Sequence, residues 1–337
     1  MLKFIYKLGD LKLKKYSIAL VALLFISCSF NLKKILPEKE EVQPTKIKQE
    51  LRGAWVSRFD YAHVNPDSMR KNIIKAMKDL GAANFNAVFF QLRGQCETFY
   101  PSPYEPWSKM LNFKDPGFDP ARLAIEEAHK NGLKFYAYIN LLPVWDEVKM
   151  PRDTTHIFHR HNPDTQDGWT LFTTTDSLKA KTNYTYLNPA HPEVHTYLKK
   201  VVRHLVETYD IDGLHFDRIR YPGKGYLDDP YSKAQFQKDS LSSPLSKADW
   251  TRQQLTDLVE DVVVEAMLVK PYLVNSAATW GLYRTDDMAG YEHFGSGYAR
   301  YYQDAIYWLD KGIMDFIVPM TYWNTENPRP NFDDLWL

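Results

Sequence analysis

Asp217 closes the stretch Asp212-Gly-Leu-His-Phe-Asp217, and Arg218-Ile-Arg-Tyr-Pro222 follows at once. A carboxylate at the end of an apolar run, followed by two cations and an aromatic ring, suits a site that handles charge or protons. Side chains alternate between the two faces of a strand. Leu214 and Phe216 then share one face, and Gly213, His215 and Asp217 share the other. In a parallel barrel the apolar face meets the outer helices and the polar face looks inward. The C-terminal ends of such strands carry the chemistry. The same residues also fit a plainer role, a strand-end carboxylate paired with Arg218 or Arg220.

Two further segments follow the same rule. Asn86 to Arg93 places Val88, Phe90 and Leu92 on an apolar face, with Gln91 and Arg93 opposite them. Leu133 to Asn140 turns Phe135, Ala137 and Ile139 one way, and Tyr138 and Asn140 the other. Gln91, Arg93, Asn140, His215 and Asp217 are thus expected to converge on one rim. The loop after Arg93 adds Glu97, Tyr100, Tyr104, Glu105 and Trp107. The loop after Asn140 adds Trp145, Asp146, Glu147, His156, His159, His161 and Trp169. No carboxylate or cysteine joins His156-Ile-Phe-His-Arg-His161 at ligand spacing, so no metal is expected there. Neither a glycine-rich phosphate cradle nor a nucleophile elbow is present, and no cofactor is called for.

The elements that must position these residues alternate in type. Strands are expected at 52–59, 86–93, 133–140, 212–217, 272–280 and 314–323. Helices are expected at 66–80, from 120 to Gly132, and at 192–209, 247–268 and 298–311. Asn65 before Pro66 and Asp119 before Pro120 are helix starts, and Gly81 and Gly132 are stops. Strict alternation predicts an α/β fold with a parallel sheet, of the TIM-type (β/α)8 barrel kind. Only six strands can be read, and 324 to 337 leave fourteen residues after Trp323. Closure needs two more βα units of roughly 30 residues each. The expectation is a barrel truncated after the sixth strand, with an apolar edge for a continuing chain or a partner to cover.

Composition narrows the class. The 337 residues carry 42 Lys+Arg and 42 Asp+Glu, a formal net charge of zero, so nothing global draws the chain to nucleic acid. Aromatics make up 15%, with 22 Tyr and 9 Trp, a supply of flat faces for packing or stacking. Two cysteines, Cys28 and Cys96, exclude a disulfide framework. Lys12, Lys14 and Lys15 precede the apolar run Ile18 to Ile26, the pattern of a secretory signal. Ser27-Cys28 then resembles a lipoprotein cleavage site, with Phe25 where a leucine is usual. The expected organisation is a signal at 1–28, a disordered tether at 29–50 and the barrel at 51–337. Cys28 would be lipidated and would anchor the chain to a membrane of the bacterial cell envelope.

A series of short motifs falls in one order along the chain. These are Leu51-Arg-Gly-Ala-Trp-Val56, Phe90-Gln-Leu-Arg93, Phe99-Tyr-Pro-Ser102, Pro106-Trp-Ser108, Phe118-Asp-Pro120, Leu187-Asn-Pro189, Asp212 to Asp217, and Pro319-Met-Thr-Tyr-Trp323. As a set they resemble the glycosyl hydrolase-like family 10 of bacterial secreted proteins and lipoproteins, across residues 51–337. The resemblance implies a TIM-type barrel that hydrolyses a cell-wall or other complex glycan, such as the glycan strands of peptidoglycan. Family members commonly carry two acids where this chain has Asp217-Arg218, and an Asp where Glu97 stands.

Glycoside hydrolysis needs two carboxyl groups flanking one bond. Asp217 would be the nucleophile or the stabiliser of positive charge at the anomeric carbon. Glu97 would be the acid or base, with Glu292, Asp146 and Glu147 as competitors. Arg93 and His215 would hold Asp217 or bond a sugar hydroxyl. Gln91, Asn140, Arg220, Tyr221, Trp280, Tyr322 and Trp323 complete the expected substrate contacts. Two other readings share the scaffold. One is an envelope lipoprotein that binds glycan without turnover and needs the aromatics but not two acids. The other is a metal-dependent hydrolase using His215, Asp217 and the loop histidines.

Overall fold

Six apolar segments pair side by side as parallel strands, and helices cover their outer face. The computed structural model describes residues 50–171 and 185–331, apart from residues 224, 225, 227, 228, 243, 287 and 292. Cys28, the expected signal and tether, and Glu292 lie outside the described residues. The first half runs β1 (Gly53–Val56), α1 (Arg58–Tyr61), α2 (Pro66–Ala82), β2 (Ala87–Arg93), α3 (Pro120–Lys130), β3 (Lys134–Asn140), β4 (Pro143–Trp145) and β5 (Thr170–Leu171). The second runs β6 (Thr185–Leu187), α4 (Pro192–Thr208), β7 (Gly213–Asp217), α5 (Pro230–Asp239), α6 (Lys247–Val269), β8 (Val274–Trp280), α7 (Gly297–Arg300), α8 (Ala305–Asp310) and β9 (Phe316–Met320).

The main sheet has the order β1-β2-β3-β7-β8-β9, parallel throughout. It curls strongly. Trp55 on β1 donates its indole N–H to His215 on β7 at 3.1 Å, although two strands separate them in the sheet. Phe316 on β9 comes within 6.0 Å of the Tyr136 ring on β3 in the same way. The result, among the described residues, is a curled half-barrel of six parallel strands.

The inner strands β2, β3, β7 and β8 are largely buried on both faces, as parallel strands require, while β1 and β9 are partly exposed. Val88, Phe90, Phe135, Ala137, Leu214 and Phe216 join the large core under the helices, where the alternation rule put them. Ala87, Phe89 and Tyr136 form the inner cluster, with Tyr138, Val274 and Phe316 packed against it. Each large apolar side chain removed from water contributes about 1.5–3 kcal/mol. Four of the helices start in one way. Asn65, Asp119, His191 and Asp229 each accept a backbone N–H from the first turn, and proline follows each of them. The cap satisfies an orphan donor, and proline has no N–H to leave orphaned.

Several elements depart from the sequence expectation. The helix expected at 298–311 is two short ones, α7 and α8. Tyr302 takes a left-handed backbone (φ 56°) between them, and Asp304 caps the second. α5 went unread because it buries only Ser232 and so has no apolar period. The loop after β3 folds into a small antiparallel sheet of order β4-β6-β5, whose strands are too short to show a period. β9 is also shorter than the expected 314–323.

One irregularity in β2 redirects a residue of interest. Gln91 pairs with Tyr138, but Arg93 pairs with the very next residue, Ile139. Leu92 is therefore an extra residue, a bulge, and the alternation slips by one. Arg93 takes the orientation of Ile139, which lies in the helix-side core. The expectation that Arg93 faces inward with Gln91 is corrected by this bulge.

Candidate functional site

Asp217 ends β7 opposite Asn140, the last residue of β3. Its carboxylate is held on both oxygens. Tyr138 donates its hydroxyl to Oδ2 at 2.9 Å, and the Arg218 backbone N–H reaches Oδ1 at 2.6 Å. That second bond depends on Arg218 adopting a left-handed φ of 55°, a conformation costly for a residue with a Cβ. The Arg220 guanidinium lies 3.6 Å from Oδ1. The Arg218 side chain turns away toward the small sheet and bonds the Tyr186 hydroxyl at 3.1 Å. The plainer role foreseen for Arg220, an ion pair with Asp217, is thus present, within a wider set of donors.

Asp217 and Arg220 form one side of a cleft of about 600 Å³ at the C-terminal ends of β7, β8 and β9. Trp280, Tyr322 and Trp323 supply the rest of its character. Trp280 is fixed by its N–H to the Gly295 carbonyl at 2.6 Å and by the Tyr301 ring at 4.2 Å. Its face also meets the Arg220 guanidinium at 5.7 Å. The Trp323 ring lies against Gly281, where an added Cβ would come within 2.8 Å of the indole and 2.4 Å of the Met320 carbonyl. Any side chain at 281 would push this wall outward. Tyr322 is 89% exposed and free to meet a ligand. Flat aromatic walls beside one carboxylate and two arginines, Arg218 and Arg220, suit a sugar ring, which offers apolar C–H faces and polar hydroxyl edges.

His215 sits deeper, fully buried inside the curl of the sheet. An indole N–H only donates, so Nε2 of His215 accepts from Trp55. Nδ1 must then carry the proton and donate to the Ser276 hydroxyl at 2.9 Å, and Ser276 donates to the Leu214 carbonyl at 3.1 Å. Burial pushes the imidazole down to about 4, against which the nearby Asp217 charge acts only partly. His215 is a neutral strut with both nitrogens in use. It neither touches the Asp217 carboxylate in a hydrogen bond nor offers a free nitrogen to a sugar or a metal.

Glu97 lies in the loop after β2 and is buried. Its Oε2 accepts from the Ser108 hydroxyl at 2.8 Å and the Lys109 N–H at 3.1 Å, at the start of the 3₁₀ turn Lys109–Leu111. Its Oε1 is buried without a hydrogen-bond partner among the described residues. Burial pushes this carboxyl up to about 7, although Ser108, Lys109 and Arg58 all pull it down. Glu97 does not line the aromatic cleft. Arg58 is near enough to the Glu97 carboxyl and to the Tyr138 hydroxyl for its charge to lower the pKa of each slightly.

The remaining expected residues divide. Gln91 is buried and uses its side-chain oxygen to accept the Arg58 N–H at 3.0 Å, so it braces the loop after β1. The side-chain oxygen of Asn140 is buried without a partner among the described residues, next to Asp217 in register. Arg93 makes a two-pronged ion pair with Glu105 at 2.6–3.0 Å, and Tyr197 donates to the same carboxylate. It also reaches the carbonyls of Asn140 and Leu141. Arg93 thus braces the ends of β2 and β3 from behind and stays out of the cleft. Tyr221 is buried edge-on to Tyr302 and is a core residue. Asp146 and Glu147 both pair with Lys109.

The histidine run disperses. His156 is buried and bonded to the Gln95 carbonyl, His159 to the Pro151 carbonyl, and His161 to Asp167 while stacked on Trp169 at 3.9 Å. Among the described residues no three His, Cys, Asp or Glu converge as a metal site would need. Sequence reasoning left out Arg58, Tyr138 and Glu105 as partners of the site. Tyr138 was legible, since its inward position beside Asn140 was read. Arg58 sits just past β1, where periodicity has ended, and nothing local marks it.

Comparison with known proteins identifies relatives in sequence and in fold. The chain is 30% identical to glycosyl hydrolase YngK of Bacillus subtilis, across 82% of its own length and 54% of that protein. It is 29% identical to glycosyl hydrolase DigH of Escherichia coli, across 94% of this chain and 77% of that one. The chain thus spans about half the length of YngK. Among solved structures, the glycoside hydrolase domain of PgaB (BpsB) from Bordetella bronchiseptica matches with a TM-score of 0.56. It is 17% identical and the match covers 81% of this chain and 74% of that one, a likeness of fold. A family model matches residues 50–332, a span that holds all six parallel strands and Asp217, and the chain therefore belongs to the glycosyl hydrolase-like 10 family.

Proposed function

We propose that this chain is a glycoside hydrolase of the bacterial cell envelope that cleaves a cell-wall or other complex glycan, with Asp217 at the anomeric centre. The observation that carries the reading is a single one. The Asp217 carboxylate is held by Tyr138, the Arg218 N–H and Arg220 at the mouth of a parallel strand, in the wall of a cleft faced with Trp280, Tyr322 and Trp323. A sugar stacked on those rings would present its anomeric carbon to a charge already fixed in place. Glu97 is the proposed second carboxyl, since a group held near 7 by burial can give a proton at neutral pH and take one back. Arg220 and Asn140 are the proposed hydroxyl ligands.

The decisive substitution is Asp217→Asn, which keeps shape and hydrogen bonding but removes the negative charge. Glycan turnover should fall on the order of a hundredfold or more, with glycan binding and melting temperature nearly kept. Near-normal turnover would sink the assignment, and a large fall in melting temperature would favour an ion-pair role. One observation favours the binding-only reading. Glu97 spends one oxygen on capping the 3₁₀ turn at Lys109 and is absent from the cleft walls. Mass spectrometry of peptidoglycan strands and polysaccharides incubated with the protein separates the two, because only a hydrolase releases shorter products. The envelope location rests on Ser27-Cys28 after the apolar run, and with it the lipid anchor.

A further inference from the structure

Arg58 is buried, 6% exposed, and no acidic group among the described residues forms an ion pair with it. Its Nη1 is buried without a hydrogen-bond partner. The backbone holds it firmly all the same, through the 3.0 Å bond from its N–H to Gln91. The guanidinium rests on Gly94. An added Cβ there would lie 2.7 Å from Nη1 and 3.4 Å from Cζ, so only glycine admits the side chain in this position. Gly94 in turn donates its N–H to the Glu97 carbonyl at 2.9 Å, which puts Arg58 against the turn that carries Glu97. Its guanidinium also lies 4.8 Å from the centre of the Phe59 ring, a contact that compensates only part of burying a cation without a counter-ion.

We propose that Arg58 is a positioning residue of this site, its guanidinium seated on Gly94 as the counter-charge for the carboxylate that Glu97 becomes on giving up its proton. The role rests on the hydrolase reading given above. As the glycosidic bond breaks, its electron pair leaves with the oxygen, and the Glu97 proton goes to that oxygen. The carboxylate left behind then has nearby a guanidinium with no counter-ion among the described residues, in contact with the Phe59 ring. The anomeric carbon bonds to the Asp217 carboxylate as that oxygen leaves. In the return step a water displaces Asp217 there and gives its proton to Glu97, which removes the negative charge beside Arg58 again. Arg58 thus sets how readily Glu97 gives and recovers a proton. Two other groups face this carboxyl. Ser108 and the Lys109 N–H bond its other oxygen, and the Lys109 ammonium, although paired with Asp146 and Glu147, pulls on it more strongly than Arg58 does in the neutral resting state. On the Arg58 side stand the hydroxyls of Tyr61 and Tyr138.

The test reads Glu97 directly. Carbon-13 carboxyl NMR of glutamate-labelled protein, with Glu97→Gln to assign the signal, gives the titration midpoint in wild type, Arg58→Met and Arg58→Lys. Losing a nearby cation should raise the midpoint by about one unit in Arg58→Met. Arg58→Lys, which keeps the charge, should restore most of it. The alkaline limb of kcat/KM should move up with the midpoint, and the plateau should fall about tenfold. If Arg58→Met does not fold, Gly94→Ala displaces the guanidinium and should move the midpoint the same way. An unchanged midpoint in a folded variant overturns the proposal. A midpoint that moves in a protein with no turnover keeps the coupling of Arg58 to Glu97 and overturns the hydrolase reading instead.

Discussion

Tyr138 and His215 sit opposite each other in the register of β3 and β7, and one works upward while the other works inward. Tyr138 sends its hydroxyl to Asp217, the residue two beyond His215. His215 is tied off between Trp55 and Ser276 and keeps the strands at their spacing. Side chains on one face of neighbouring strands therefore have different duties, decided by depth. Tyr138→Phe removes a hydrogen bond to a charged group, worth about 1.5–3 kcal/mol, without changing the ring. Turnover should fall about tenfold or more while KM stays close to its wild-type value. Steady-state kinetics on a released-sugar assay checks it, and an unchanged kcat would show that the Arg218 N–H and Arg220 hold Asp217 by themselves.

At the scale of elements, the bulge in β2 separates the brace from the site. It sends Arg93 to the helix side, where the ion pair with Glu105 is enclosed by Tyr197 from α4 and by the carbonyls that end β3. Neither partner is exposed, at 0% and 1% of the side chain. Removing one charge would leave the other buried and unpaired. Glu105→Gln should cost about 3–5 kcal/mol of unfolding free energy. Urea unfolding monitored by the tryptophans measures it, and a loss under 1 kcal/mol would mean that water reaches Arg93. The fold spends this ion pair on locking the ends of β2 and β3, which carry the loops of Glu97 and of the small sheet.

At the scale of the whole molecule, buried titrating groups set how stability changes with pH. Burial holds His156 and His215 at about 4, below the ordinary 6.5. Between those values the unfolded chain takes up protons that the folded one refuses. Stability therefore drops as pH falls through that window, by about 3 kcal/mol for each histidine. Glu97 acts in the opposite sense, because burial raises it from 4.5 to about 7. Its contribution is full below 4.5 and is lost as pH rises through 7. The melting temperature of Glu97→Gln should exceed that of wild type by a margin that grows from pH 4.5 to 7. Calorimetry at matched ionic strength checks this, and a constant margin would mean that Glu97 is hydrated. A second whole-molecule expectation concerns the N-terminus. Cys28→Ala should move the protein from the membrane to the soluble fraction, since firm anchoring needs the acyl chains. Membrane retention with the signal still cleaved would count against a lipid anchor.

Alternation of strand and helix was legible because burial imposes a period on the sequence. Leu214 and Phe216, or Val88 and Phe90, repeat every second residue and lie under the helices as that period requires. The polar residue before a proline marked the starts of α2 and α3 for an equally local reason, the orphan N–H groups of a first turn. Asp217 could be placed at a strand end from its own neighbours alone. The partners of Asp217 and Glu97 could not. Whether Arg93 faces the cleft turns on one inserted residue in β2, and a bulge shows only when the neighbouring strand is present to count against. That Trp55 meets His215 depends on the curl of the sheet, which brings together positions 160 residues apart. That Arg58 settles on Gly94 depends on which side chain is missing across a strand boundary, and no period along the chain records it. Local burial writes a pattern into the chain, whereas contact between side chains of distant strands is decided only when the sheet closes around them.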